Sequence, residues 1–158
     1  MGSGKSTVGK AIWEHTKIPF IDLDKYIEQH EGKTINEIFL KYGEQYFRDL
    51  EYKACKELCL KKGIILALGG GTPLYKRNFD LLKKNSKIVF LNVPESTITY
   101  RLEHDNTRPL LNSSEKAKRI KKLYRERQPC YIKISDVTID AQECVENIVN
   151  NIINIFDL

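Results

Sequence analysis

Apolar residues recur along this chain in two rhythms, and the switches between them mark out its elements. Val8, Ala11, Ile12 and His15 share one helical face, which predicts a helix over about residues 5–16. Pro19 breaks that pattern, and Phe20-Ile21 reads as a short strand running into Asp22, Leu23 and Asp24. From Lys25 a helix of about two turns follows and stops at Gly32. Thr34, with Glu37 three residues later, forms a capping box that opens the next helix, striped by Ile35, Ile38 and Phe39. A longer helix is predicted over about residues 43–62, burying Phe47, Leu50, Ala54 and Leu58 and closed by Gly63. Residues 64–68 form a continuous apolar run, the mark of a strand covered on both faces. Further on, the pattern predicts a helix at about 78–85, a strand at 88–93, and a helix after Pro94 to about 104. A polar loop at 105–113, a basic helix at about 114–127 and a strand at 136–139 come next. The closing helix carries Cys144, Ile148, Ile152 and Ile155.

Strands alternating with helices, with no repeat or linker, predict an α/β fold built on a parallel sheet. In such folds ligands gather at the carboxyl ends of the strands. Asp22 and Asp24 follow one predicted strand there, and Gly69-Gly70-Gly71 follow another. The 158 residues suit one domain with one core, here spanning 1–158.

The start of the chain brings in chemistry. Gly2, Ser3, Gly4, Lys5, Ser6 and Thr7 stand directly ahead of a helical pattern, as in the second half of a phosphate-binding loop of the form G-x-x-x-x-G-K-[ST]. Glycines there let backbone N–H groups approach phosphate oxygens closely, and the helix that follows adds the positive end of its dipole. Lys5 would reach the β- and γ-phosphates of ATP, and the Ser6 hydroxyl would take a position on Mg²⁺. The first glycine of the pattern and the strand that leads into it would precede Met1. An upstream extension of roughly ten residues, a strand plus that glycine, is therefore expected.

Composition narrows the class. Hydrophobic residues make up 41% and charged residues 30%, an ordinary globular mixture. No apolar run approaches the ~20 residues of a membrane span, and no signal peptide is visible. Cys55, Cys59, Cys130 and Cys144 lack framework or metal-set spacing, which suits buried or half-buried thiols in a reducing cytosol. The net charge is +5, with eight Lys/Arg and one acidic residue, Glu126, between 116 and 133. Only Tyr124 and Tyr131 interleave that run, too few aromatics for a single-strand nucleic-acid binder. A small anionic ligand and a solvated helix face account for it more simply.

A phosphate loop alone means a bound nucleoside triphosphate. Asp22 and Asp24, spaced i, i+2 at a strand end, can serve one site from two directions, one toward a metal and one toward an acceptor hydroxyl. A solvated turn is the plainer reading of the pair taken by itself. Three glycines after a buried strand mean a close approach to backbone, or else a flexible loop. Arg48, Arg108 and Arg127 are individually no more than surface charges.

Taken together, the motifs resemble the shikimate kinases: G-S-G-K-S-T, I-D-L-D, Y-F-R-D-L-E, L-G-G-G-T, T-R-P-L-L and E-R-Q-P-C-Y occur in that order from Met1 to the closing helix. The resemblance implies a doubly wound parallel five-stranded sheet whose first, central strand is absent from the chain, flanked by the strands at 64–68 and 88–93. It also implies transfer of the γ-phosphoryl of ATP to the 3-hydroxyl of shikimate, a step of aromatic amino-acid and chorismate biosynthesis. Asp24 matches the residue holding the acceptor hydroxyl as base, and Asp22 the one reaching Mg²⁺ through water beside Ser6. Arg48 and Arg127 match the two arginines gripping the shikimate carboxylate, with Gly70 and Gly71 lying against the substrate. Arg108 matches a lid arginine closing over the phosphates from about 105–113, a lid expected to be mobile. Arg101 matches an adenine-stacking position and Gln142 an adenine-loop position. The substrate-binding segment would run over about 24–60, with Glu51 orienting Arg48 through an ion pair. A cytoplasmic monomer is expected. Gluconate and nucleoside monophosphate kinases remain open as relatives of similar build, as does a nucleotide-binding relic without turnover.

Overall fold

The computed structural model describes residues 2–103 and 116–158, so the predicted lid with Arg108 lies outside the described residues. Helix α1 (Lys5–Thr16) starts straight from the glycine-rich segment, with Gly4 at φ 82° as its N-cap. Strand β1 (Phe20–Asp22) passes at once into α2 (Leu23–Glu31). That helix begins two residues ahead of the predicted Lys25. The Asp22 carboxylate caps it by accepting from the Asp24 and Lys25 N–H groups.

The Thr34/Glu37 capping box opens α3 (Ile35–Leu58), with both reciprocal bonds made. The two helices predicted here follow one another through Gly43, at φ 80° and ψ 174°, a conformation that only glycine adopts cheaply. The second ends at Leu58 rather than near 62, because the chain tightens there, Lys61 donating to the Leu58 carbonyl. Strand β2 (Ile65–Ala67) pairs in parallel with β1, Phe20 opposite Ile65 and Asp22 opposite Ala67. A 3₁₀ turn (Thr72–Leu74), α4 (Lys76–Asn85), β3 (Val89–Asn92) and α5 (Glu95–Glu103) follow. Then come α6 (Lys116–Ile134), β4 (Val137–Asp140), parallel to β3 with Val89 opposite Val137, and α7 (Val145–Phe156).

Helix α6 corrects the pattern-based end near 127: it runs on through Pro129 to Ile134. A proline mid-helix forfeits one backbone bond and costs about 3 kcal/mol. Contacts beyond it hold the helix together, above all Tyr131, whose ring lies 5.3 Å from that of Phe90 on β3.

Two apolar clusters flank the strands. Leu23, Ile27, Ile38, Phe47, Leu50 and Leu58 join α2 and α3. Val8, Ile12, Leu91, Ile120, Val149 and Ile152 join α1, β3, α6 and α7. Some predicted core positions fall outside them. His15 and Ile155 are exposed, and Cys144, at the N-cap of α7, points away from the buried stripe. Cys55 is buried and Cys59 half-buried, but Cys130 and Cys144 are exposed, because a helix's outward face and its cap leave them in water.

The four described strands form two parallel pairs, β1–β2 and β3–β4. Between the pairs lies a cavity of about 930 Å³ lined by Val8, Ile12, Phe20, Leu66, Phe90 and Leu91 among others. Residues 64, 65, 66 and 68, read as covered on both faces, are accordingly only half-buried, whereas Ala67 is buried. The slot falls between the two strands expected to flank a central one. Among the described residues no helix is long and apolar enough to cross a membrane.

Candidate active site

The carboxyl ends of β1 and β2 and the start of α1 converge. Gly2 and Gly4 both take left-handed conformations, at φ 62° and 82°. The positive φ favours glycine at position 2, where a Cβ would also press on Leu102 Cγ at 3.2 Å. Ser6, in the first turn of α1, donates its hydroxyl proton to Asp22 Oδ2 at 2.5 Å. Asp22 thus serves two elements, one oxygen capping α2 and the other joined to the phosphate loop. Lys5 lines the central cavity with Ser3, whereas Thr7 is exposed.

Asp24 sits in the first turn of α2, and the glycine loop after β2 wraps around it. A Cβ on Gly69 would come 2.9 Å from Asp24 Oδ1, 3.0 Å from Thr72 Oγ1 and 3.2 Å from Glu51 Oε1. A Cβ on Gly71 would come 2.8 Å from Arg48 Nη1. Two of the three glycines are therefore demanded by the protein's own polar groups packed against them. Asp24 and Arg48, 24 positions apart in sequence, meet at this one loop.

Arg48 is buried, at 4% exposure, in α3. Its Nη1 donates to Glu51 Oε2 at 2.7 Å, and its Nε and Nη2 both donate to Glu44 Oε1, at 3.2 and 2.8 Å. Glu51, 1% exposed, uses its other oxygen to accept from the Thr72 hydroxyl at 2.5 Å. Thr72 is fixed in turn by Asn78, whose amide donates to its carbonyl at 3.0 Å. Burial works against the charge on Arg48, but the two glutamates outweigh it and hold its pKa above the ordinary value. Aromatic rings of Tyr75 and Phe47 lie 5.1 and 5.3 Å from the guanidinium carbon. The result is a permanently charged, pre-oriented fork suited to a carboxylate.

Arg127 is half-buried on α6 rather than at a helix end. It lines the same cavity as Lys5, Gly69 and Gly70. The structure therefore brings the phosphate loop, the glycine loop and Arg127 to one opening. Arg101 on α5 donates from Nη1 to the Gly2 carbonyl at 3.1 Å, next to the phosphate loop. Gln142, just past β4, is exposed and tied to the Asp140 carboxylate. Arg108 lies outside the described residues. Sequence reading passed over Glu44, Thr72, Asn78 and Tyr131 as site residues. Thr72 directly after the three glycines, Tyr131 four residues after Arg127 and Glu44 four residues before Arg48 are signals that could have drawn attention to them.

A family model described as shikimate kinase matches residues 1–157. A shikimate kinase of Clostridium beijerinckii is 42% identical over 151 residues, covering 96% of this chain and 87% of that protein. One from Sulfurihydrogenibium sp. is 41% identical over 143 residues, covering 90% of this chain and 84% of the relative. The solved structure of a shikimate kinase from Acinetobacter baumannii in complex with shikimate matches with a TM-score of 0.94 at 32% identity, over 99% of this chain and 88% of that one.

Proposed function

The chain belongs to the shikimate kinase family, and on that footing we propose that it transfers the γ-phosphoryl of ATP to the 3-hydroxyl of shikimate. The observation that supports this most directly is the buried Arg48 fork, locked by Glu51 and packed against Gly71 beside Asp24. It offers a carboxylate grip and a base around one loop. Arg48 and Arg127 take the shikimate carboxylate, and Gly70 and Gly71 leave room for the ring. Asp24 then holds the acceptor hydroxyl and accepts its proton as the oxygen bonds to the γ-phosphorus. The bond from that phosphorus to the β–γ bridging oxygen breaks, and ADP departs with the electron pair.

On the donor side, backbone N–H groups of Gly2, Ser3 and Gly4 face the phosphates, with Lys5, Ser6 and Thr7 completing the cradle. Ser6 and Asp22 are hard oxygen donors joined at 2.5 Å, and that donor set fits Mg²⁺. When bound, Mg²⁺ supplies neutralisation of phosphate charge. Arg101, already against Gly2, and Gln142 border the adenine. The enzyme works as a cytoplasmic monomer.

The test is ADP release across shikimate, gluconate and nucleoside monophosphates. Turnover with shikimate alone, dependent on Mg²⁺, is the expected result. Equal or faster turnover with either alternative overturns the assignment, and nucleotide binding without any turnover marks the chain as a relic.

A further inference from the structure

Helix α6 carries Arg127 to the site, and one turn further along lies Tyr131, with the Arg127 guanidinium alongside it. The Tyr131 hydroxyl donates to the Gly70 carbonyl at 2.5 Å, across 61 positions of sequence. Its ring packs beside Phe90 of β3, with centroids 5.3 Å apart. A second tie, from Gln128 Nε2 to Asn92 Oδ1 at 3.0 Å, fastens the same turn of α6 to the end of β3. Pro129 falls between these two contacts and deprives the helix of a backbone bond. The last turns of α6 are thus located by side chains, and Tyr131 is the one that reaches the glycine loop.

The geometry of the peptide unit makes that contact consequential. Every described peptide bond is trans, so the C=O of Gly70 and the N–H of Gly71 lie in one plane and point in opposite directions within it. Holding the carbonyl toward α6 turns the Gly71 N–H away from it. Gly71 is the residue packed against Arg48. Thr72 and Leu74 N–H groups fold the loop on itself through the Gly69 and Gly71 carbonyls, and the phenolic hydroxyl is the contact that ties it to the helix bearing Arg127. Burial raises the Tyr131 pKa, which keeps the hydroxyl a donor throughout the neutral range.

We propose that Tyr131 is a positioning residue for substrate: without touching shikimate, it holds Arg127 and the Gly70–Gly71 peptide in register so that the two arginines close on one carboxylate. The proposal rests on the shikimate kinase assignment. Nothing in it concerns the phosphate loop, so its effect should fall on one substrate only.

Tyr131→Phe keeps the ring against Phe90 and removes only the hydroxyl. The KM for shikimate should rise about five- to tenfold, the loss expected from one buried hydrogen bond. The KM for ATP should stay at its wild-type value, kcat should fall less than about twofold, and the thermal midpoint should drop by no more than the ~2–4 °C that one hydrogen bond carries. An unchanged KM for shikimate overturns the proposal. So does an equal rise in both KM values with a larger drop in the thermal midpoint, which would make Tyr131 a packing residue. Combining Tyr131→Phe with Arg127→Lys adds an independent check. Residues acting through one another should lose less together than the product of the single losses, and a full product overturns the coupling. If the wild-type chain fails to turn over shikimate, the proposed activity is what falls, since the variant comparison needs that activity as its reference.

Discussion

Arg48 and Glu51 form an ion pair at 2.7 Å with both side chains almost wholly removed from water. Three residues apart on α3, they face the loop after β2 rather than solvent, and Thr72 occupies the other glutamate oxygen. Each charge depends on the other: either one alone in that setting would carry an unpaid desolvation cost.

Replacing Glu51 with Gln keeps the shape and the Thr72 contact but removes the anion. The remaining partner, Glu44, is about half exposed and screens poorly. Stability should fall by about 3 kcal/mol, the cost of leaving one buried charge unpaired. The KM for shikimate should rise with it, because the fork loses its anchor. Urea titration and steady-state kinetics measure the two effects. A variant as stable as wild type would show that Glu44 alone suffices.

Asp22 and Asp24 should separate cleanly. Asp24→Asn removes the proton acceptor beside the glycine loop and should abolish turnover while ATP binding persists. Asp22→Asn retains an oxygen to cap α2 but weakens the pair with Ser6, so it should raise the Mg²⁺ needed for half-maximal rate. Calorimetric ATP titration beside a Mg²⁺-dependent rate curve distinguishes them. Near-normal kcat in Asp24→Asn would refute its role as base.

The slot between β2 and β3 makes the expectation of a strand lying there testable. An extension of roughly ten residues, a strand ending in the loop's first glycine, should raise the thermal midpoint and the rate together. Each new ladder bond contributes about 0.5–1.5 kcal/mol. A Gly/Ser extension of equal length should do neither. If the 158-residue chain already melts as high and turns over as fast as the strand-extended one, the slot has no such occupant.

Alkaline stability should be limited by buried thiols. Burial pushes the Cys55 thiol up to about 12 from an ordinary 9.0, with smaller contributions from Cys59 and Glu51, and burial raises Cys59 as well. The folded chain therefore keeps protons that the unfolded chain releases. That contribution is complete below about pH 9 and is lost as pH rises from there toward 12. The thermal midpoint should decline as pH rises above about 9, and less steeply in Cys55→Ala, although that variant starts lower. Parallel slopes would assign the decline to other groups.

Much of this molecule was legible in the chain because the deciding forces are local. Capping at Thr34 and Glu37, the break at Pro19 and the stop at Gly32 act within a few residues, so pattern alone located them. The order of six short motifs identified the family for the same reason: each is a contiguous set of residues. Tertiary contact decided what pattern could not reach. Helix α6 passes Pro129 because Tyr131 finds Phe90 and Gly70, partners 41 and 61 positions away. Gly69 and Gly71 after β2 proved to have Asp24, Glu51 and Arg48 packed against them, a relation that exists only once α2, α3 and the loop are folded together. Local preference sets what each segment becomes. Which charged atoms end within hydrogen-bond reach depends on how distant segments exclude water from one another, and no stretch of sequence carries that by itself.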